Sequence, residues 1–272
     1  MNDFKKLHDG SKLLHLPNAW DAGSARLFES LGASAIATTS AGVAWAAGYA
    51  DGDNMPADVA IAIALNMARV LTVPLSVDLE NGYSDDAEVV AQNVMKLVDA
   101  GVAGINLEDG GGAPESLAAK IVAIKKRVGA AGKDIFINTR TDVYLRGLAP
   151  EGERVAEVLK RAAMYRAAGA DGLFVPGICK VDEIEAVVAG AGLPVNVMDW
   201  PGRPSADELH KLGVRRLSAG SGIPQALWAV AADMAKGFLT TGDAGPLMDK
   251  AMPYGELQAL FTPKQRTTPV AK

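Results

Sequence analysis

Two acids one residue apart, Asp78 and Glu80, close an apolar run that begins at Val73 (VPLSVDLE), where the pattern of a buried strand comes to its end. A third acid, Glu108, closes GINLE in the same way, and Arg140 closes IFINTR. Three carboxylates brought to one place cannot all stay ionised without a cation. Oxygen donors without histidine or cysteine suit a hard ion. Mg2+, which keeps several waters, fits a site open to substrate better than Ca2+, with Mn2+ as the alternative. Arg140 is read as the one cation among these inward-facing residues, and its planar fork can hold a carboxylate through two bonds. Plainer uses compete: the acids could form salt bridges or cap helices, and Arg140 could be spent on an internal pair with Asp142 or Glu108. The run TTSAG, Thr38 to Gly42, offers hydroxyls and free backbone N–H groups that could cradle an oxyanion. Small residues are also ordinary in turns.

These side chains need elements to position them. Eight β-rich runs recur, each followed by an amphipathic segment: LLHLPNAW from Leu13, SAIATTSA from Ser34, VPLSVDLE from Val73, GINLEDG from Gly104, IFINTRTD from Ile135, GLFVPGI from Gly172, PVNVMDW from Pro194 and RRLSAGS from Arg215. Glycine steps at Gly32, Gly101, Gly169 and Gly213 predict left-handed helix ends before the next strand. Eight βα units in about 250 residues predict an α/β fold of the (β/α)8 TIM-barrel type, a single domain over 1–272. A doubly wound sheet would need a G-x-G-x-x-G after the first strand, and LPNAWDAGSA does not supply it. Alternation along a strand puts Ser76, Asp78 and Glu80 on one face, Asn106 and Glu108 on another strand's face, Asn138, Arg140 and Asp142 on a third, and Asn196 on a fourth. All sit near C-terminal strand ends, where barrel enzymes keep their chemistry. GIPQALWAVAADMAKGFL reads as the last barrel helix, and GPLMDKAMPYGELQALF as one surplus apolar-faced helix within a C-terminal extension, 240–262. The tail, 263–272, is polar and expected to be mobile.

Composition narrows the partners. The chain of 272 residues is 49% apolar and 22% charged, with a net charge of −5 and no basic block. Nothing recommends a nucleic acid or an anionic membrane surface, and small molecules become the expected partners. No stretch reaches the length of a membrane span, and MNDFKKLHDGSKLL lacks the apolar core of a signal peptide, so a cytoplasmic location is expected. The single Cys179 excludes an internal disulfide framework and a cysteine-based zinc cluster. His8, His15 and His210 are scattered without metal-ligand spacing.

Taken together, PNAWD, TTSAG with GYADGD downstream, VDLENGY, NLEDG and NTRTD resemble the isocitrate lyase/phosphoenolpyruvate mutase superfamily, from about Leu16 to the eighth strand. The resemblance implies a (β/α)8 barrel whose last helix is exchanged between subunits, commonly as a homotetramer built as a dimer of dimers. It implies a 2-oxo acid or related carboxylate bound on Mg2+, and a C–C or C–P bond made or broken beside it. By motif, Asp78 is implied as the direct metal ligand, with Glu80 and Glu108 holding metal-bound waters and Asp51 ordering that shell. Arg140 is implied as the substrate-carboxylate arginine, and Thr39, Ser40 and Ala41 as the segment that receives substrate oxygens. Trp20 would wall the pocket unless it belongs to the core, and Asn196 is counted with the substrate-binding residues.

The departures matter too. Glu80 stands where the family usually has Asp, and GGGAPESLAAK replaces the cysteine-bearing loop of the isocitrate and methylisocitrate lyases. The Lys- and Asn-bearing gating loop of the mutases and phosphonopyruvate hydrolases is also missing between Gly110 and Lys120, although the triple glycine suggests a mobile lid. The leading expectation is a Mg2+-dependent lyase of the oxaloacetate-decarboxylase type, cleaving the C–C bond next to a 2-oxo group through a metal-stabilised enolate. The alternatives are a phosphonopyruvate or phosphoenolpyruvate C–P enzyme, mutase or hydrolase, and a non-catalytic oxo-acid-binding barrel.

Overall fold

The computed structural model describes residues 3–243, 245–249 and 251–262; the expected tail, 263–272, lies outside them. Nine parallel strands form one sheet: β1 (Leu14–Leu16), β2 (Asn18–Ala19), β3 (Ile36–Thr38), β4 (Leu75–Asp78), β5 (Gly104–Glu108), β6 (Phe136–Arg140), β7 (Gly172–Phe174), β8 (Val195–Met198) and β9 (Arg216–Ser218). Their order, β1-β9-β8-β7-β6-β5-β4-β3-β2, begins and ends on two strands separated only by Pro17. β1 pairs with β9 and β2 with β3, so the run expected as one first strand is split between two neighbours. Proline explains the break, because it has no N–H to give to a ladder. Its carbonyl still accepts from Ala37 N–H at 3.2 Å. The expected (β/α)8 barrel is thereby obtained.

The helices are α1 (Asp3–Lys6), α2 (Ala22–Ser30), α3 (Ser40–Ala46), α4 (Ala57–Val70), α5 (Ala87–Asp99), α6 (Pro114–Ala130), α7 (Arg154–Ala168), α8 (Val181–Ala191), α9 (Ala206–Lys211), α10 (Gly222–Thr241), α11 (Gly245–Asp249) and α12 (Tyr254–Phe261). The four expected glycine steps all take positive φ, from +87° at Gly101 to +107° at Gly169. Alternation along β5 is sharp: Ile105 and Leu107 are fully buried beneath the helices, while Asn106 and Glu108 point into the barrel. Two apolar shells result, one packing α4, α5 and α6 on β4 and β5, the other packing α7 and α8 on β7 and β8.

Chain contacts divide the molecule into two compact units, 1–225 and 226–272. The first is the barrel. In the second, the segment read as a single surplus helix forms two, because Pro253 caps α12 instead of continuing α11. Leu227, Trp228, Phe238, Leu239, Tyr254 and Phe261 are exposed. Among the described residues no helix is long and apolar enough to cross a membrane.

A plug closes the N-terminal end of the barrel. Phe4 is fully buried, and a Cβ at Gly104 would come within 2.7 Å of its ring, so only glycine lets it seat there. His8 stacks on Phe136 with ring centroids 4.3 Å apart, and its Nδ1 lies 3.0 Å from the Phe4 carbonyl. Burial, with help from the Arg216 charge, holds this imidazole down at about 4 against an ordinary 6.5. Between those values the unfolded chain binds a proton that the folded chain refuses. The His8 contribution to stability is therefore fully present above about pH 6.5 and is lost as pH falls toward about 4. Urea midpoints measured across this range for the wild type and His8→Leu should differ by a slope of about one proton, the variant losing less stability as pH falls. An unchanged slope in the variant would contradict the assignment.

Candidate active site

β4, β5 and β6 carry the chemistry to the C-terminal mouth. Asp78 ends β4, and its N–H donates to Thr38 Oγ1 at 2.7 Å, which ties β4 to the end of β3. The first helical residue after β3, Ser40, points its N–H at Asp78 Oδ2, at 3.4 Å. Asp78 Oδ1 is buried and accepts no hydrogen bond. Burial raises the proton affinity of this carboxyl, opposed chiefly by the charge of Arg140.

Glu80 reaches the site by a route that strand alternation does not describe. β4 stops at Asp78, and Glu80 sits in a tight turn at φ +50°, a left-handed conformation uncommon for a side-chain-bearing residue. The turn is held by Gly82 N–H on the Leu79 carbonyl at 2.7 Å and by Glu108 N–H on the Glu80 carbonyl at 2.8 Å. Buried Lys120 adds a bond from Nζ to the Asn81 carbonyl at 2.9 Å. Glu80 itself is buried, with Oε2 accepting from the Asp53 N–H and Oε1 lying 3.4 Å from the Tyr83 hydroxyl. Burial pushes it up to about 7, and the charges of Asp53, Asp78 and Asp51 add to the rise. Asp51 is exposed, and among the described residues it is Asp53, two positions on, whose backbone meets Glu80.

Glu108 and Arg140 are register partners across β5 and β6, and Arg140 Nη1 stands 2.7 Å from Glu108 Oε2. Burial lifts Glu108 to about 8 even against the Arg140 charge, with Asp78 contributing to the rise. Arg140 also clamps Asp142, Nε to Oδ1 at 2.6 Å and Nη2 to Oδ2 at 3.0 Å. Burial works against its charge, and Glu108 with Asp142 more than offsets that, holding the guanidinium protonated. The internal pair and the exposed-edge role weighed for Arg140 are thus reduced to one question: each of its three nitrogens already has an acid beside it.

Behind this pair stands a support that the strand pattern hides. Asp142 is fully buried, and its N–H donates to Asp109 Oδ1 at 3.0 Å. Asp109 Oδ2 in turn accepts from Arg161 Nη1 at 2.9 Å and from the Tyr165 hydroxyl at 2.6 Å. Glu157, Arg161 and Tyr165 recur at four-residue steps on α7, and that spacing is the signal that could have found them.

Beneath the acids lies a layer of amides. Asn138 Nδ2 donates to Asn106 Oδ1 at 2.9 Å and to Asn196 Oδ1 at 3.0 Å, and Asn196 Nδ2 is spent on the Val197 carbonyl, the Arg216 carbonyl and Ser218 Oγ. Asn196 is thus engaged within the lumen. The expectation that Arg140 is the one inward cation is overturned: Arg216 on β9 is fully buried, with Nη2 on Asn106 Oδ1 at 3.2 Å and its field on Asp78. Its register with Asn196 was the available signal.

Thr39 is buried as the residue before α3, and Ser40 and Ala41 open that helix, whose first N–H groups have no intrahelical acceptor. Trp20 is partly buried, edge-on to Phe28 at 6.1 Å. The expected lid proves short: residues 109–113 form a turn closed by Gly112 N–H on the Asp109 carbonyl at 2.8 Å, and Pro114 already begins α6. Among the described residues no three acids, histidines or cysteines close on one point as a full ligand set. The donors nonetheless suit an ion held by one carboxylate and several waters, because Asp78 Oδ1 is buried without a partner beside two acids that burial drives toward protonation.

Comparison with known proteins agrees with this geometry. A family model described as phosphoenolpyruvate phosphomutase matches residues 4–239. An uncharacterized protein of Mycobacterium tuberculosis is 38% identical over 270 residues, covering 97% of this chain and 98% of that one. An oxaloacetate decarboxylase of Bradyrhizobium sp. is 31% identical over 206 residues, 71% of this chain and 68% of that protein. A crystal structure from Burkholderia cenocepacia, provisionally described as a phosphonomutase, is 40% identical and superposes with a TM-score of 0.79 over 85% of this chain and 96% of that chain. The barrel, its mouth of acids around Arg140 and these likenesses coincide: the chain belongs to the phosphoenolpyruvate phosphomutase family and is an enzyme of the isocitrate lyase/phosphoenolpyruvate mutase superfamily.

Proposed function

We propose that this enzyme is a Mg2+-dependent carbon–carbon lyase that cleaves the bond next to the 2-oxo group of a small 2-oxo acid, as an oxaloacetate decarboxylase does. The observation that carries it is Asp78 Oδ1, buried without a hydrogen-bond partner beside two further acids, Glu80 and Glu108, that burial drives toward protonation. Asp78 would hold Mg2+ or Mn2+ directly, with Glu80, Glu108 and Asp51 ordering its waters. When bound, the ion supplies Lewis-acid polarisation of the substrate's keto group. Arg140, kept charged by Glu108 and Asp142, offers its remaining N–H edges to the substrate carboxylate. The Thr39 hydroxyl and the Ser40 and Ala41 N–H groups meet the oxygen on which negative charge grows. Trp20 walls the pocket, and Asn196 serves it from below through the amide layer. In decarboxylation the C3–C4 bond breaks, carbon dioxide leaves, the electron pair runs into the keto group, and water returns a proton to C3. No cysteine is required.

A carbon–phosphorus reaction has support in the family model's description and in the provisional name of the Burkholderia neighbour. Phosphate release from phosphonopyruvate would select it. The single cysteine agrees with a reducing, cytoplasmic setting. We further propose a homotetramer, a dimer of dimers with exchanged C-terminal helices. It is supported by the exposed apolar side chains after Ala226 and by a groove on the barrel lined by Leu13, Phe28, Leu31 and Ile223.

Three measurements check these proposals. Excess chelator should abolish pyruvate formation from oxaloacetate and added Mg2+ or Mn2+ restore it, while folded Asp78→Asn should lose about a hundredfold or more in kcat/KM. Full activity with chelator present would sink the metal assignment. Across a panel of acids, pyruvate should form from oxaloacetate well above the metal-only background, with little cleavage of isocitrate or 2-methylisocitrate; efficient methylisocitrate cleavage would overturn the reaction. Light scattering should report a tetramer that dissociates when residues after Gly245 are deleted, and a stable monomer before deletion would contradict the exchange.

A further inference from the structure

Arg140 is not the cation with the most freedom at this mouth. Arg146, in the turn after β6, donates from Nε to Asp142 Oδ2 at 3.1 Å, onto the same oxygen that accepts Arg140 Nη2 at 3.0 Å. One buried acid therefore clasps two guanidiniums, the second held further by Arg146 N–H on the Asp142 carbonyl at 2.9 Å. The difference between them is what remains. Arg140 has acids beside all three nitrogens, whereas Arg146 Nη1 and Nη2 have no partner among the described residues, and its side chain is 54% exposed. A side chain half in water with only its inner nitrogen tied down presents its outer fork, the geometry that grips a carboxylate end-on.

The outer fork looks across the 109–113 turn. The point that a Cβ would take at Gly110 lies 3.9 Å from Arg146 Nη2 and 4.0 Å from Glu108 Oε1, and at Gly111 it would lie 3.6 Å from Arg146 Nη1. Gly110, at φ +51°, and Gly111 thus leave open the gap between the Arg146 guanidinium and the carboxylate of Glu108. The mouth then carries two cations at two depths: a buried one tied to the acid cluster, and an outer one facing bare backbone.

We propose that Arg146 reads a second carboxylate, so that this enzyme takes dianionic rather than monoanionic 2-oxo acids. The inference rests on the proposed 2-oxo-acid reaction and names its substrate class. Arg140 takes the carboxylate beside the keto group, and Arg146 takes the one at the far end, which in oxaloacetate is the group that leaves. The role is one of specificity and positioning. Because Asp142 anchors both guanidiniums, the two carboxylate subsites keep a set spacing.

The test separates this role from mere support of Asp142. Calorimetry with Mg2+ present compares malate, a stable two-carboxylate ligand, with malate 4-methyl ester, which keeps the shape and loses the far charge. The wild type should bind malate about tenfold or more tighter than the ester, in line with one charged hydrogen-bonded pair. Arg146→Gln should lose that preference by weakening malate alone, and Arg146→Lys should restore part of it. Equal weakening of both ligands would mean that Arg146 acts only by holding Asp142, and would overturn the inference. So would a wild type that binds both equally or binds neither. Turnover of oxaloacetate is scored separately: loss of turnover with the malate preference intact condemns the proposed reaction and leaves the dianion site standing.

Discussion

Compensation of buried charge at the barrel mouth is the constraint on which the rest depends. Asp78, Glu80, Glu108 and Asp142 stand at or just beyond strand ends with their side chains largely buried, and Arg140 answers only two of them directly. A lone carboxylate in such a place is costly, so it must find a cation, a donor or a proton. The Asp142 carboxylate finds two arginines, and stays fully buried while its own N–H donates to Asp109. Asp78 and Glu108 find less, and burial raises the proton affinity of both against the opposing charge of Arg140.

The scaffold is arranged to keep that imbalance in place. Asp109, Arg161 and Tyr165 fix Asp142 from the helical side, so Arg140 is aimed by groups that never reach the mouth. Below, Asn106, Asn138 and Asn196 fill the lumen with mutually satisfied amides, and Arg216 puts a positive charge under the acids. Polar groups this deep are tolerated because they are bonded to one another. At the far end Phe4 and His8 pack into the barrel and close it, which leaves the mouth as its open side.

The split of the first strand at Pro17 belongs to the same economy of hydrogen bonds. A proline inside a continuous strand would cost a ladder bond, but at the seam, where one segment serves β9 and the next serves β3, it costs none. The seam brings Asn18 beside Thr38, onto whose carbonyl its side chain donates at 2.7 Å, and so steadies the strand end that carries Thr39 and Ser40.

Much of this was legible in one dimension. Alternation of two identifies the inward face of β5 and β6, hence Asn106, Glu108, Asn138 and Arg140, because a strand's side-chain period is a local geometric fact. Eight strand and helix signals with glycine at the helix ends specify the barrel for the same reason. The period failed where local rules end: Glu80 lies beyond its strand in a left-handed turn whose bonds come from Asp53 and Glu108, and Pro253 divides a helix that apolar spacing alone would run through. Asp109, Arg161 and Tyr165 escaped because their alliance joins residues far apart in the chain, and Arg146 because only the fold lays it over Gly110 and Gly111. The sequence by itself determined which residue types stand at which strand ends, since that follows from periodicity. Which acids share a cation, which arginine keeps a free edge and which amides are already spent were decided by tertiary structure, because charge compensation and hydrogen-bond satisfaction depend on distances between elements, and no local pattern contains those.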